Sequence, residues 1–415
     1  MGHTPRSRTA PRCALLLVSL ALGASACGGS SDPLADPPYD ATGQVRLAGA
    51  HEGRKADPGK PLEVEASGGD RITDVTATDA AGRYVKGELA PDGSRWRSTG
   101  ALAAGAHYTV RVSTEDEDGA QGRRTIGFDT SPADRLLRVA FGPQNGTYGV
   151  GQPVTAELSE PVQDPAARAV VERTLRVESV PAVQGSWHWV DNRTLHYRPQ
   201  DYWPAHTTID VRANLDGIKV GGALYGGPSK PVRLTIGDRV EAVTDAAGHY
   251  MTVTKNGQTL RTIPVTTGKP GYATRNGVKV ILGRESFVRM RGTSIGIAEG
   301  SEDSYDLPVY WATRVTWSGE YVHAAPWSEG SQGADNVSHG CTGMSTANAK
   351  WFYDNVRVGD VVKVVGSAGA TMTPFDNGFG DWNMPWKQWR EGSALTAGKR
   401  EGTSPADVAR LRPRL

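Results

Sequence analysis

The chain has 415 residues, and its 46 lysines and arginines against 45 aspartates and glutamates leave a net charge of +1. Because charges of both signs are interspersed, the sequence lacks the basic face of a nucleic-acid-binding protein, and no nucleic-acid partner is expected. Its 51 glycines and 26 prolines, together with many threonine- and valine-rich runs, favour a mainly β protein. The length suits two to four domains.

Residues 1–26 have the pattern of an export signal, with basic residues before an apolar run that is too short for a permanent membrane anchor. Small residues then lead directly to Cys27. This resembles the lipobox of bacterial lipoproteins, although Ala24 stands where leucine is usual. The resemblance implies a lipid on Cys27, which would hold the protein to the outer face of the cell membrane, within the wall. Ordinary secretion after cleavage near Ala26 is the alternative. Residues 27–41 predict a flexible tether.

The three cysteines have different expected fates. Cys13 leaves with the signal, Cys27 is thioether-linked, and Cys341 then has no intramolecular partner. No disulfide framework is therefore expected. A lone thiol outside the cytoplasm is open to oxidation, which favours a nucleophilic role for Cys341.

Two immunoglobulin-like β-sandwiches are predicted, over residues 42–133 and 134–238. In both, short runs with period-two alternation, such as 107–113 and 208–212, are separated by glycine, aspartate and proline clusters. The second sandwich is rich in aromatic residues, which we interpret as core and interdomain packing rather than as a carbohydrate-stacking face. These residues are Trp187, Trp189, Tyr197, Tyr202 and Trp203.

A third unit, residues 239–366, is predicted to be a β-rich catalytic domain with one principal helix. The Asn256-Gly257 pair between two alternating runs indicates a hairpin with a type I′ turn. The helix is expected over residues 346–355. Residues 367–395 form an aromatic C-terminal segment, expected to pack on a folded domain. The polar residues 396–415 are expected to form a disordered tail.

The sequence Ser338-His339-Gly340-Cys341 carries the candidate chemistry. A thiol near neutral pH needs a base beside it and N–H donors for an oxyanion, and the backbone of Gly340 and Cys341 offers such donors. His339 shares a face with Cys341 if the segment is extended, whereas His323 lies eighteen residues upstream at the end of a predicted strand. Spacing alone leaves both histidines open as the base.

The arrangement Tyr-Val-His323…Ser-His-Gly-Cys341 resembles the signature of the L,D-transpeptidases. The likeness extends through the helix segment and Gly380-Asp-Trp-Asn-Met-Pro-Trp386 to the upstream sandwiches, which resemble the paired immunoglobulin-like domains of actinobacterial members. It implies Cys341 as nucleophile and His323 as general base, oriented by the carbonyl of Ala324, where many relatives have serine. His339 would support the site architecture, and donors near Gly340 and Cys341 would form the oxyanion hole.

The resemblance also implies a substrate-binding set, in which Met290 and Trp327 border the access channels. Its members are Tyr305, Ser318, Gly319, Ser338, Gly343, Met290 and Trp327. One position departs from the family pattern, because Gly343 stands where asparagine is usual. A contact to the substrate or to the local loop is therefore expected to be missing or replaced.

The implied reaction is acyl transfer in peptidoglycan. Cys341 would attack a tetrapeptide stem, expel the terminal D-alanine as a thioester forms, and pass the acyl group to an amine in a 3→3 crosslink. Carbapenems and other β-lactams are the implied inhibitors, and neither a metal nor an organic cofactor is needed. Water as acceptor would make an L,D-carboxypeptidase, and a protein lysine would make an attachment enzyme.

Two readings without this chemistry are less favoured. A zinc site of Cys341, His339 and His323 lacks a fourth ligand cluster. A non-enzymatic wall-binding module is disfavoured by the intact cysteine–histidine pair.

Overall fold

The computed structural model describes residues 37–48 and 55–397. The predicted signal peptide, the lipidation site Cys27 and the tail beyond residue 397 lie outside these residues. Within the described part, no helix is long and apolar enough to cross a membrane.

The first domain consists of two four-stranded sheets, ordered β1-β8-β7-β4 and β2-β3-β6-β5. Its strands are β1 (Tyr39–Asp40), β2 (Val45–Ala48), β3 (Glu63–Ala66), β4 (Arg71–Asp79), β5 (Gly87–Leu89), β6 (Arg95–Ser98), β7 (His107–Glu115) and β8 (Gln121–Asp129). Alternate residues of the facing strands bury an apolar core around Val64, Trp96 and Val110. Tyr39 pairs with Gly122 on β8, so the sandwich begins before the predicted tether ends, and the boundary at residue 41 is too late.

The second domain has sheets ordered β10-β12-β15-β14, β11-β19-β16-β13 and β17-β18-β9. Its elements are β9 (Arg135–Leu137), β10 (Val139–Gly142), β11 (Gly146–Tyr148), β12 (Val154–Leu158), α1 (Pro165–Thr174), β13 (Leu175–Val180), β14 (Gly185–Trp189), β15 (Thr194–Pro199), β16 (Thr208–Ala213), β17 (Lys219–Gly221), β18 (Leu224–Gly226) and β19 (Val232–Ile236). Trp187, Trp189 and Trp203 are buried in its core, as the packing interpretation expected.

Helix α1 was missed in the sequence. Asp164 caps it by accepting a hydrogen bond from the Ala167 N–H, and Pro165 occupies the first turn. Both residues are ordinary signals of a helix start. They were overlooked because the sequence on both sides of them has the alternation typical of strands.

The third domain packs a five-stranded sheet, β22-β21-β20-β28-β23, against a four-stranded sheet, β24-β25-β26-β27. Its elements are β20 (Val240–Asp245), β21 (Tyr250–Lys255), β22 (Gln258–Pro264), β23 (Gly277–Val280), β24 (Gly283–Arg291), β25 (Asp306–Arg314), β26 (Tyr321–Ala324), β27 (Thr342–Met344), α2 (Thr346–Asn355) and β28 (Val361–Val365). Asn256 and Gly257 both have positive φ, as a type I′ turn requires. Ser345 caps α2, which places Ala349 and Phe352 in the core between the sheets.

The C-terminal segment, with helices α3 (Trp386–Glu391) and α4 (Ala394–Ala397), lies against the second sandwich. Trp389 is fully buried and donates from its indole N–H to the Ser186 carbonyl at 2.9 Å. The Arg198 guanidinium lies 4.3 Å from the centre of the Trp389 ring. Asn383 also bonds the backbone of Val278 on β23, so the segment links the second and third domains. Residues 396 and 397 belong to α4, so the disordered tail predicted for residues 396–415 begins too early.

Candidate active site

Cys341 lies at the entry of β27, beside β26. These two strands run parallel, with Val322 opposite Thr342 and His323 opposite Gly343. The Cys341 thiol is half-buried and donates to the Gly319 carbonyl at 3.5 Å. Gly319 adopts φ +102°, in the left-handed region that favours glycine, so this residue type allows the turn that brings its carbonyl to the sulfur.

His323, on β26, is buried, and its Nδ1 lies 2.8 Å from the Ala324 carbonyl oxygen. A carbonyl accepts and never donates, so Nδ1 carries the proton and Nε2 is left with a free lone pair. Burial lowers the pKa of His323, which keeps the ring neutral. His323 and Cys341 line the same cavity. His323 is therefore a neutral imidazole on the cavity that Cys341 also lines.

His339 has different surroundings. Its ring packs between Tyr272 and Tyr305, with centroid distances of 4.7 Å and 5.0 Å, and its Nε2 lies 3.5 Å from an Asp303 carboxylate oxygen. These contacts give His339 an architectural position, while the described bonds of His323 leave its Nε2 available. Both histidines line the first cavity with Cys341, and His339 Nε2 also has no hydrogen-bond partner among the described residues, so the role of His323 as the base stays a prediction.

The resting thiol is protonated. Burial raises the pKa of Cys341 to about 11, and the nearby Glu320 carboxylate acts in the same direction. A Tyr321 backbone N–H directed at the sulfur and the Lys279 ammonium oppose this rise. The site therefore holds a neutral thiol and a neutral imidazole.

The motif loop is fixed by its own hydrogen bonds. Ser338 Oγ donates to the Cys341 carbonyl at 2.6 Å, and the Thr274 hydroxyl donates to the Gly340 carbonyl at 2.9 Å. The Gly340 N–H donates to Ser338 Oγ at 3.2 Å. In the resting site the Gly340 N–H, which is predicted to serve the oxyanion, is therefore directed to the neighbouring hydroxyl.

Two cavities reach the thiol, and the expected site residues divide between them. The first, of about 260 Å³, contains His323 with Met290, Trp327, Ser338 and Gly343. The second, of about 490 Å³, is lined by Ser318, Gly319 and Gly340 among others. Cys341, His339 and Tyr305 border both. Burial raises the pKa of Tyr305 to about 12, so its hydroxyl stays a neutral hydrogen-bonding group between them.

Gly343 occupies a tight place in the first cavity. Its N–H donates to the Thr266 carbonyl at 2.8 Å, and the Thr266 N–H donates back at 2.9 Å. A Cβ on Gly343 would stand 2.9 Å from Ala325 Cβ and 3.0 Å from Thr266 Cγ2. These two neighbours therefore crowd the position of a Cβ at residue 343.

Sequence reasoning missed a buried ionic cluster behind the motif. Glu320 pairs with Lys279, whose side chain is 1% exposed, and with Arg275 at 3.0 Å. The lysine and glutamate lie on β23 and just before β26, far apart in sequence, so no local pattern brings them together. A charged residue in an otherwise apolar strand, as Lys279 is in Val278-Lys-Val280, was the available signal.

The described residues hold no group of three or more histidine, cysteine, aspartate or glutamate side chains that could bind a metal ion. A half-buried thiol and a neutral imidazole that line one cavity, with a second cavity also reaching the thiol, are suited to acyl transfer.

Comparison with known proteins places this arrangement in a family. A bacterial Ig domain model matches residues 53–219, and an L,D-transpeptidase catalytic domain model matches residues 239–364. L,D-transpeptidase 2 of Mycobacterium tuberculosis is 35% identical over 402 residues, which are 95% of this chain and 97% of that protein. L,D-transpeptidase 5 of the same species is 30% identical and covers 95% of this chain and 88% of its own. The chain belongs to the L,D-transpeptidases, acyltransferase-type enzymes that crosslink peptidoglycan.

Solved structures similar to part of this chain carry L,D-transpeptidase names as well. An LD transpeptidase in complex with imipenem is 38% identical, covers 55% of this chain and 100% of its own, and has a TM-score of 0.49. An L,D-transpeptidase from Mycobacterium smegmatis is 36% identical, covers 55% and 99%, and has a TM-score of 0.46.

Proposed function

We propose that the protein forms 3→3 peptidoglycan crosslinks through a thioester on Cys341. The observation that carries the proposal is the placement of a protonated thiol and the free Nε2 side of a buried neutral imidazole on one cavity. A nucleophile and its base in this relation are suited to acyl transfer without a cofactor.

The steps follow from the two side chains. His323 Nε2 takes the thiol proton while the sulfur attacks the carbonyl carbon of the third residue of a tetrapeptide stem. The same nitrogen returns the proton to the amine of the departing D-alanine, which leaves a thioester. An acceptor amine then attacks the thioester and gives its proton to His323, and the thiolate that leaves is reprotonated.

For the Gly340 N–H to stabilise the oxyanion, the motif loop must rearrange locally. The Gly340 N–H is engaged with Ser338 Oγ, whereas the Tyr321 N–H already points to the sulfur. Rotation of the Ser338 hydroxyl group away from Gly340 would free that N–H for the tetrahedral intermediate.

Mass spectrometry with a purified disaccharide-tetrapeptide tests the proposal. Wild-type protein is expected to gain the mass of the disaccharide-tripeptide acyl group, and Cys341→Ala is expected to gain none. His323→Gln should acylate slowly at pH 7 and recover towards pH 10, where thiolate forms without a base, while His339→Gln should keep the wild-type pH dependence. Acylation of Cys341→Ala would overturn the proposal.

The acceptor is assigned by the products. A 3→3 dimer supports the transpeptidase, a free tripeptide stem would indicate an L,D-carboxypeptidase, and a peptide linked to a protein lysine would indicate an attachment enzyme. A protein that binds stems without forming any adduct would be a wall-binding module. Imipenem is expected to add covalently to Cys341 and to block the stem reaction.

Location is a separate part of the proposal. A lipid on Cys27 would anchor the chain outside the membrane, and the two sandwiches would hold the catalytic domain within the wall. Cys27→Ala is then expected to release the protein into the medium, and retention of that variant in the membrane fraction would contradict lipid anchoring.

A further inference from the structure

The second cavity at Cys341 contains an arginine with unused donors. Arg275 directs its Nη1 to Glu320 Oε1 at 3.0 Å and to Ser318 Oγ at 3.4 Å. Among the described contacts, its Nε and Nη2 have no hydrogen-bond partner. The side chain is 43% exposed and lines the cavity together with Cys341. The Nη1 group of the guanidinium is thus held by the protein, and the Nε and Nη2 groups remain available to a ligand.

The cluster behind this arginine carries more cations than anions. Glu320 is buried and accepts hydrogen bonds from Lys279, from the Arg275 side chain and from the Arg275 backbone N–H. Two cationic side chains therefore share one carboxylate. Arg275 and Glu320 are the charged residues among those that line this cavity, so Arg275 presents the unbalanced positive charge to it.

The geometry also fixes the guanidinium. Glu320 Oε1 bridges the backbone and side chain of Arg275 and lies 3.9 Å from the place of a Cβ on Gly340. A donor group held in this way loses little conformational freedom when it binds an anion, and arginine is well matched to a planar carboxylate.

We propose that Arg275 is a specificity-determining residue that binds a carboxylate on the acyl part of the donor stem peptide, within the second cavity. This rests on the proposed acyl transfer at Cys341. The departing and attacking amines must both reach His323, which lines the first cavity and not the second. The acyl part retained in the thioester is therefore left to occupy the second cavity, which Arg275 lines.

The stem offers carboxylates at more than one position, and matched donors distinguish them. Three tetrapeptides are compared with the unmodified donor, each amidated at one carboxyl group: on the second residue, on the diamino acid, or on the terminal D-alanine. Acylation of the full-length protein by each donor is followed by mass spectrometry without an acceptor, which isolates the first half of the reaction.

Arg275→Gln is expected to lose roughly tenfold to hundredfold in kcat/KM for acylation by the unmodified donor, mainly through KM, as the loss of a hydrogen-bonded charge pair predicts. The difference in kcat/KM between the wild type and Arg275→Gln should disappear with one of the two donors that are amidated on the acyl part. It should persist with the donor that is amidated on the terminal D-alanine. Arg275→Lys should recover part of the affinity. Arg212→Gln, on a surface pair with Glu178 and 44% exposed, is the matched control and should match the wild type.

Other outcomes would overturn the inference. An equal loss with all four donors would mean that Arg275 only supports Glu320 and the motif loop. Disappearance of the loss with the D-alanine amide alone would put the carboxylate on the leaving group. Equal rates for wild type and Arg275→Gln would exclude any contact. Failure of the wild type to acylate with every donor would instead refute the proposed function itself.

Discussion

Gly343→Asn places the side chain usual in the family into a site that has closed around glycine. The N–H and the carbonyl of Gly343 are both hydrogen-bonded to the backbone of Thr266, so the backbone has little room to withdraw. The new Cβ would meet Ala325 Cβ at 2.9 Å, a distance that real Cβ atoms essentially never show, and Thr266 Cγ2 at 3.0 Å. The remaining atoms of the asparagine would enter the first cavity.

The magnitude follows from this crowding. Overpacking of a well-packed core typically lowers the free energy of unfolding by about 1–3 kcal/mol. Gly343, Ala325 and Thr266 are not flexible surface side chains, so they cannot simply move out of the way. For a domain of this size, each kcal/mol lowers the melting temperature by about 2–4 °C. Because Cys341 lies two residues before Gly343, a strand shift also moves the nucleophile, and a misplacement of about 1 Å can cost about a hundredfold in rate.

The assay combines thermal unfolding with the rate of donor acylation. Gly343→Asn and Gly343→Ala are both expected to lower the melting temperature, because the clash begins at Cβ. Gly330→Ala is the control, since no atom lies within 4 Å of its new Cβ and its φ is not in the left-handed region. That variant is expected to unfold at or slightly above the wild-type temperature.

A compensating change tests the cause. Ala325→Gly removes the closer of the two contacts, so the double variant with Gly343→Asn should recover a large part of the lost stability. A Gly343→Asn protein that is as stable and as active as the wild type would refute the steric argument. An equal loss with and without Ala325→Gly would move the cause to another neighbour.

Three further outcomes are expected. Because burial lowers the pKa of His323 and raises that of Cys341 to about 11, kcat/KM for acylation should fall only below pH 6.5 and stay level from pH 7 to 9; an acid limb above pH 7 would contradict the neutral pair. Burial raises the pKa of Asp360 from 3.8 to about 7, so its contribution to the free energy of unfolding is full below pH 3.8 and is lost as the pH rises through 7. In denaturant titrations at pH 8, Asp360→Asn should therefore be more stable than the wild type, by at most about 4 kcal/mol. The difference should vanish near pH 4. Asp381→Ala should cost about 3–5 kcal/mol, because the fully buried carboxylate lies 2.7 Å from His196, whereas Asp129→Ala, in an exposed histidine pair, should cost under about 1 kcal/mol by the same titration.

Local features were predictable from the sequence because they depend on neighbouring residues. The Asn256-Gly257 turn follows from the positive φ that these residue types tolerate, and helix α2 follows from its serine cap and composition. Helix α1 had equally clear signals in Asp164 and Pro165 but was missed among strand patterns. At the ends of the folded part, the tether and tail boundaries were misplaced by a few residues, since strand pairing and helix packing there depend on distant partners.

The sequence by itself determined which residue is the candidate nucleophile. Export removes or modifies two of the three cysteines in the interpretation, and Cys341 lies in a motif whose residue types are suited to acyl transfer. The sequence also showed that Gly343 departs from the family pattern, but not what had replaced the side chain. Ala325 and Thr266 crowd that position, and they are brought there by strand pairing.

Only the tertiary structure decided the surroundings of the two histidines, with His323 Nδ1 against the Ala324 carbonyl and the His339 ring between two tyrosines. The parallel pairing of β26 with β27 places His323 beside the strand that directly follows Cys341. His339, two residues before the cysteine, instead lies near Asp303. The tertiary structure also decided that Lys279 and Glu320 meet behind the motif. Such contacts join residues distant in the chain, and their pairing depends on sheet register and burial rather than on any local preference.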